Sequence, residues 1–348
     1  MNKFKAVRVG RFSTLIHQKV ILTIAVFFFL LLVVFLLSTG MGETFFNPWI
    51  VAKTVLGYGD SFHELVINSF RLPRIVMALL VGMSLGVAGA ILQGLVRNPL
   101  AAPDMMGITG GASVGVVLFL SLFSNKSNSL TVSIEWMPVS AFLGALLVTL
   151  ILYMLSWKKG VSPLTLVLVG VGLWAITKAF TTLFMVLGPI YQASQANIWI
   201  TGTVYGANWR NIAVLAPITF VLLIISFVLS RIINIHELGE DLAQNAGSKV
   251  QKHRLLLLIL CTGLVGSAVA FAGGIGFVGL MAPHIARRLV GSSFGALLPL
   301  TALIGALLVI IADTIGRTAF LPVEVPAGVF TAAIGAPYFI FLLFRSKK

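Results

Sequence analysis

The sequence predicts an all-α, polytopic membrane bundle, and three observations predict it. Of its 348 residues 58% are apolar, and only 24 basic and 10 acidic side chains remain to solvate a surface. That is too few for a water-soluble globule of this size. The apolar residues fall into about ten separated blocks of membrane-spanning length. One of them, Val20 to Leu37, offers no polar face at all, and at ~1.5 Å per residue it nearly crosses a hydrocarbon core of ~30 Å.

The expected spans are 20–38, 72–93, 106–123, 137–156, 162–187, 211–231, 255–272, 275–290, 296–312 and 325–344. The first follows basic residues from Lys3 to Lys19, as a secretory signal would. Its apolar run is longer than the usual ~7–15 residues, and Leu37-Ser38-Thr39-Gly40 lacks a small-x-small cleavage pattern, so it reads as a retained helix. The second opens on Arg71-Leu72-Pro73-Arg74, with Pro73 suited to a first helical turn. Along it Gly82, Gly86, Ala90 and Gly94 recur every fourth residue, a smooth stripe for close helix packing. The seventh and eighth spans are separated by Gly273-Gly274 alone. The ninth runs out towards Asp313 and Arg317, and an even number of spans puts both termini on one side.

Lysine and arginine set the orientation. With the termini inside, 17 basic residues fall on the cytoplasmic side, from Lys3, Lys5, Arg8, Arg11 and Lys19 through Arg97, Lys158, Lys159 and Arg231 to Arg345, Lys347 and Lys348. Seven fall outside: Lys53, Arg71, Arg74, Lys126, Lys178, Arg210 and Arg317. The net charge of +14 is thus a matter of topology and implies no nucleic-acid partner. The longest polar connections are 39–71 outside and 232–254 inside, so residues 1–348 form a single transmembrane domain.

Several chemistries are excluded. Gly274-Ile275-Gly276-Phe277-Val278-Gly279 fits a dinucleotide-binding pattern, but it lies in a membrane span, follows no strand and has no acidic residue about 20 positions on. No G-x-x-x-x-G-K-[ST] phosphate loop, no HExxH and no Cys/His ligand cluster occurs. The single cysteine, Cys261, cannot form an intrachain disulfide. No catalytic residue, bound metal or resident cofactor is expected.

Two polar constellations stand out. Arg71 and Arg74 lie at a helix start, where the macrodipole is already positive, and oppose the positive-inside bias. They read either as snorkelling side chains or, with Arg317, as a basic face for an acidic partner docking from outside. Asp313 is an alternative partner for Arg317. On the inner side, Glu237-Leu238-Gly239-Glu240-Asp241-Leu242-Ala243 leads to Gly247. Acidic residues in a first turn, Leu238, Leu242 and Ala246 on one face and a glycine stop predict a short amphipathic helix. It is either a lid on the loop or, the preferred reading, a surface for a cytoplasmic partner. Gln93 and Thr177 are the weak polar candidates for a pathway.

Longer motifs then give a resemblance. Arg71-Leu72-Pro73-Arg74, Gly89-Ala90-Ile91-Leu92-Gln93 and Asn98-Pro99-Leu100-Ala101-Ala102-Pro103 with Gly107 resemble the FecCD-type permeases, membrane subunits of ABC importers for iron–siderophores, haem and vitamin B12. So do the run from Ala272 to Arg288, Ala312-Asp313-Thr314 with Arg317, Glu324-Val325-Pro326-Ala327-Gly328 and Gly335-Ala336-Pro337. Trp199, Gly202 and Trp209 resemble the family's outer loop between the fifth and sixth helices. The likeness runs from about residue 55 onward.

The resemblance implies a multi-pass protein of the bacterial cytoplasmic membrane with ten helices and cytoplasmic termini. It further implies a homodimeric or heterodimeric permease pair, two ATPase subunits carrying ATP and magnesium, and an external substrate-binding protein. In the family, arginines matching Arg71, Arg74 and Arg317 engage glutamates of the binding protein, and the loop matching 237–247 couples to the ATPase. Family members often carry two glutamates and an alanine where this chain has Glu240-Asp241-Leu242-Ala243. An iron(III)–siderophore is the expected cargo, with haem or cobalamin as alternatives. An ion-coupled secondary transporter is disfavoured, because Asp104, Asp313 and Glu324 all fall at the ends of the expected helices, leaving no mid-membrane carboxylate.

Overall fold

The computed structural model describes residues 4–9, 12–125, 129–158, 160–188 and 190–345. Lys3, Arg11, Lys126, Lys159, Lys347 and Lys348, used above in the charge count, lie outside the described residues.

The chain opens with an antiparallel hairpin, β1 (Phe4–Val9) on β2 (Phe12–His17), in a register from Phe4↔His17 to Val9↔Phe12. The expectation had no strand here. α1 (Gln18–Gly40) follows, then the connection α2 (Pro48–Val55), α3 (Ser61–Glu64) and a π-helical stretch Leu65–Arg71 that runs straight into α4 (Leu72–Val96). A 3-10 turn, Pro103–Met106, precedes α5 (Ile108–Leu122). Next come α6 (Met137–Ser156), α7 (Pro163–Leu187), α8 (Ile190–Thr201) and α9 (Trp209–Val228). Two short helices, α10 (Ser230–Glu237) and α11 (Glu240–Asn245), lead to α12 (Val250–Ala272), α13 (Val278–Val290), α14 (Phe294–Thr318) and α15 (Ala327–Arg345).

Each of the ten expected spans coincides with a helix, but among the described residues seven helices, not ten, are long and apolar enough to cross a membrane. α5 and α13 fall short because each starts at a break in the apolar run, and the span at α15 is apolar over Ala327–Leu342. Gly107 turns at φ 77° before α5, and Gly273 (φ 67°) and Phe277 (φ 65°) interrupt the apolar run before α13. With 13 residues α13 is only ~20 Å long, so the junction at its start lies within the bundle.

α4 is the axle of the fold. Nearly all of it is buried, and α14, α12, α13 and α9 pack around it. The small-residue stripe explains the closeness: a methyl on Gly82 would strike the Gly305 carbonyl and one on Gly86 the Thr301 carbonyl, and beside the stripe one on Gly89 would strike the Gly279 carbonyl. Facing glycines let two backbones touch, replacing hydrophobic driving force with van der Waals contact. On the α12 side the Cys261 thiol is buried 3.5 Å from the Ala88 carbonyl oxygen. α1, α6, α7 and α9 instead present large apolar side chains outward, Phe29, Leu147, Leu168 and Ile224 among them.

Where helices break, the freed backbone is paired internally, as a lipid-buried segment requires. Thr203 N–H donates to Ala272 O at 2.8 Å, Gly274 N–H to Trp199 O at 3.4 Å and Gly328 N–H to Gly202 O at 3.0 Å. The end of α8, the gap between α12 and α13 and the start of α15 therefore meet at one junction. Asp104 lies beside it, accepting Thr109 Oγ1 at 2.9 Å.

Candidate functional site

The two polar constellations sit at opposite ends of α4. At the first, the π-helical stretch ends on Arg71 and α4 carries Arg74 one turn on, so both side chains share a face. That face looks onto the C-terminal end of α1, whose last carbonyls have no intrahelical partner and carry the negative end of the macrodipole. Arg71 Nη1 donates to Gly40 O at 2.8 Å and to Thr39 O at 3.3 Å, and Nη2 donates to Thr44 O at 2.7 Å. Its guanidinium lies 4.5 Å from the Phe46 ring centroid. Arg317, on the last turn of α14, donates through Nη1 to Met41 O at 2.8 Å and through Nη2 to Ser38 O.

Arg74 joins two carboxylates. Its Nε and Nη2 donate to Asp313 at 3.0 and 2.8 Å, and Nη1 donates to Glu324 Oε2 at 2.8 Å. Asp313 is 1% exposed and Glu324 38%. Asp313 stands inside α14 rather than at its end, because that helix runs on to Thr318. The structure therefore gathers Arg71, Arg74 and Arg317, as their shared basic face suggested, but turns all three inward onto partners of the same chain. Asp313 pairs foremost with Arg74. Arg317, the partner expected from sequence, is 3.7 Å away through Nε. Glu324 had no expected role in this cluster, and its pairing with Arg74 across 250 positions left no local signal.

The second constellation is the segment Glu237–Gly247. α11 covers Glu240–Asn245, and Gly247 (φ 77°) supplies the left-handed stop. Leu238 falls before the helix because Gly239 (φ 114°) breaks the chain between α10 and α11. Leu238 is 64% and Leu242 58% exposed, and Ala246 is exposed beside them, while Ala243 and Ile233 are buried. Asp241 is exposed in the first turn of α11. This is an apolar face that the chain itself leaves uncovered.

Behind that face the segment is tied to the bundle. Glu237 pairs with Arg287 of α13 at 2.8 Å, and Glu240 with Arg254 of α12 at 3.4 Å. Gln251 Nε2 donates to Glu240 Oε1 at 3.3 Å, and Gln251 Oε1 accepts the Val161 N–H at 2.9 Å. Asn234 Oδ1 accepts the N–H of Phe294 at 2.9 Å, at the start of α14. His236 is buried, and its imidazole is pushed down to about 4, first by burial and then by the positive charge of Arg254.

Between this segment and the end of α4 lies a cavity of about 300 Å³, lined by Gln93, Arg97, Asn98, Pro99, Glu237, Arg287 and Ser292. Gln93 is 2% exposed. Thr177, the other pathway candidate, does not line it: its hydroxyl donates to Trp174 O at 3.0 Å, and its side chain packs on Gly110. Among the described residues no group of three His, Cys, Asp or Glu side chains could hold a metal ion.

Comparison with known proteins covers most of the chain. Residues 30–345 match the FecCD transport family. The probable siderophore transport system permease YfhA of Bacillus subtilis (strain 168) is 59% identical over 315 residues, covering 90% of this chain and 92% of that one. The iron(3+)-hydroxamate import permease FhuG of the same organism is 42% identical, covering 95% and 98%. The achromobactin transport permease CbrC of Dickeya dadantii (strain 3937) is 41% identical, covering 98% and 96%. A solved ABC transporter, described as of metal-chelate type and in an inward-facing conformation, superposes with a TM-score of 0.83 at 30% identity, covering 92% of this chain and 98% of that one.

Proposed function

The chain belongs to the FecCD transport family, and from that premise we propose that it is the permease subunit of an ABC importer for an iron(III)–siderophore. The observation that carries the reading is the match over residues 30–345 together with relatives named for siderophore and iron import. The full assembly is this permease with a second permease chain, identical or related, two ATPase subunits that carry ATP and magnesium, and an external binding protein. It resides in the bacterial cytoplasmic membrane with ten crossings and both termini inside. A helix at each of the ten expected spans and the 17-to-7 division of basic residues support that topology.

The mechanism is alternating access. The loaded binding protein docks on the end that carries Arg71, Arg74 and Arg317. ATP closes the ATPase pair against the uncovered face of Leu238 and Leu242, and the segment 237–247 passes that motion to the bundle. Substrate then crosses between two permease subunits, with Gln93 near its inner exit. Asp313 is not a free carboxylate that could couple an ion gradient, since Arg74 neutralises it.

Two measurements test this. Energy-dependent uptake of radiolabelled iron, supplied by a panel of siderophores with haem and cobalamin alongside, is compared between a strain lacking this gene and its complement. Loss of one siderophore class alone supports the cargo; selective loss of haem or cobalamin replaces it. For docking, Arg74→Lys keeps the charge but loses the forked hydrogen bonds. Weaker binding-protein affinity of the folded, membrane-inserted variant supports the site, and unchanged affinity removes Arg74 from it.

A further inference from the structure

We infer that Glu237 and Glu240 are positioning residues that divide the movement of the segment between two membrane helices, with Gly239 as the joint. The inference rests on the importer reading and adds the route by which force enters the bundle. Glu237 ends α10, Glu240 begins α11, and only Leu238 and Gly239 lie between them. Gly239 holds φ 114° and ψ 162°, a conformation closed to residues with a Cβ. A methyl there would also meet Arg97 Nη1 at 3.4 Å. The chain thus turns at its most permissive residue, with one carboxylate tied down on either side.

The two anchors differ. Glu240 holds Arg254 at the start of α12, a helix of 23 residues that is mostly buried. That anchor is reinforced by Gln251, which bonds both Glu240 and the Val161 N–H ahead of α7. Glu237 holds Arg287 on the last turn of α13, a helix of only 13 residues. The 300 Å³ cavity borders that pair, leaving α13 open on the side of Gln93 and Arg97. Glu240 is the fixed arm and Glu237 the moving one.

α13 also leads somewhere. Its far end begins at Phe277, whose ring packs against Gly335 of α15, and the preceding glycines rest on Trp199 and Gly202 beside Asp104. A short helix pulled at Arg287 therefore acts on the junction where α8 ends and α13 and α15 begin. α12, tied at Arg254, holds the opposite side of that junction in place.

The test uses the whole importer in proteoliposomes with its ATPase and binding protein, and reads ATP hydrolysed per substrate transported. Arg287→Gln, outside the segment that meets the ATPase, should retain the ATPase and its hydrolysis but raise that ratio about fivefold or more, and Glu237→Gln should raise the ratio likewise. Exchanging the pair, Glu237→Arg with Arg287→Glu, should bring it back to within about twofold of the parent. Glu240→Gln should lower hydrolysis and transport together, leaving the ratio unchanged. A ratio unmoved by Glu237→Gln, or not restored by the exchange, overturns the inference. Failure of the unmutated chain to bind an ATPase overturns the importer reading instead.

Discussion

The two ends of α4 use the same chemistry, arginine against carboxylate, and build different things with it. At the arginine end Arg74 and Arg317 close on Asp313, Arg74 also on Glu324, and Arg71 and Arg317 on four carbonyl groups of residues 38–41. At the coupling end each arginine meets one glutamate through one nitrogen, and a cavity stands beside one of the pairs. Redundant closure makes a weld, because no single bond can open without the rest resisting. Single closure makes a link, which holds two elements in register but lets them turn. A transporter needs both, a fixed platform and a transmitted motion.

The sharpest way to break this comparison is Arg74→Ala. It leaves Asp313 buried with only the longer contact to Arg317, and losing one member of a buried pair costs about 3–5 kcal/mol. Thermal unfolding in detergent should register that loss, and a change below about 1 kcal/mol would mean the arginine end is no weld.

Acid should separate the two ends next. His236 titrates at about 4 in the folded chain and near 6.5 when unfolded, so folding favours its neutral form. Its contribution is complete above pH ~6.5 and is lost as pH falls towards about 4, by up to ~1.4 kcal/mol per unit. Hydrogen exchange at residues 230–254 should rise over that window while residues 38–41 stay protected, and His236→Gln should abolish the difference. The smallest effect belongs to Glu237→Gln. That pair is partly exposed, so its removal should cost under about 1 kcal/mol of stability, whatever it does to coupling.

How much of this was legible in the sequence follows the range of the interactions. Helix positions were, because each span announces itself by contiguous apolar residues, and α6 occupies its expected bounds of 137–156. The break at Gly273 was legible from Gly273-Gly274, but the one at Phe277 was not: the apolar pattern runs through Phe277 unchanged, and in the fold its ring packs on Gly335. The segment 237–247 was legible as a helix with a glycine stop, since capping and termination are local. Its start was misplaced because Gly239 reads as an ordinary helix residue until its φ is known. Arg71 and Arg74 were singled out by their unfavourable place at a helix start. The partners of Arg74 were not, since Asp313 and Glu324 lie 239 and 250 positions from it.

The buried thiol of Cys261 has a practical consequence. The sequence contains one cysteine, and in the folded chain it is sealed between α12 and α4 against Ala88. The natural protein is therefore already a silent background for thiol labelling. Leu242→Cys on the uncovered face and Glu324→Cys at the far end of the molecule would each present a single reactive sulfur to a water-soluble maleimide. With both substitutions in one chain, spin-label or fluorophore distances between the two ends can be followed through the transport cycle without removing a native cysteine.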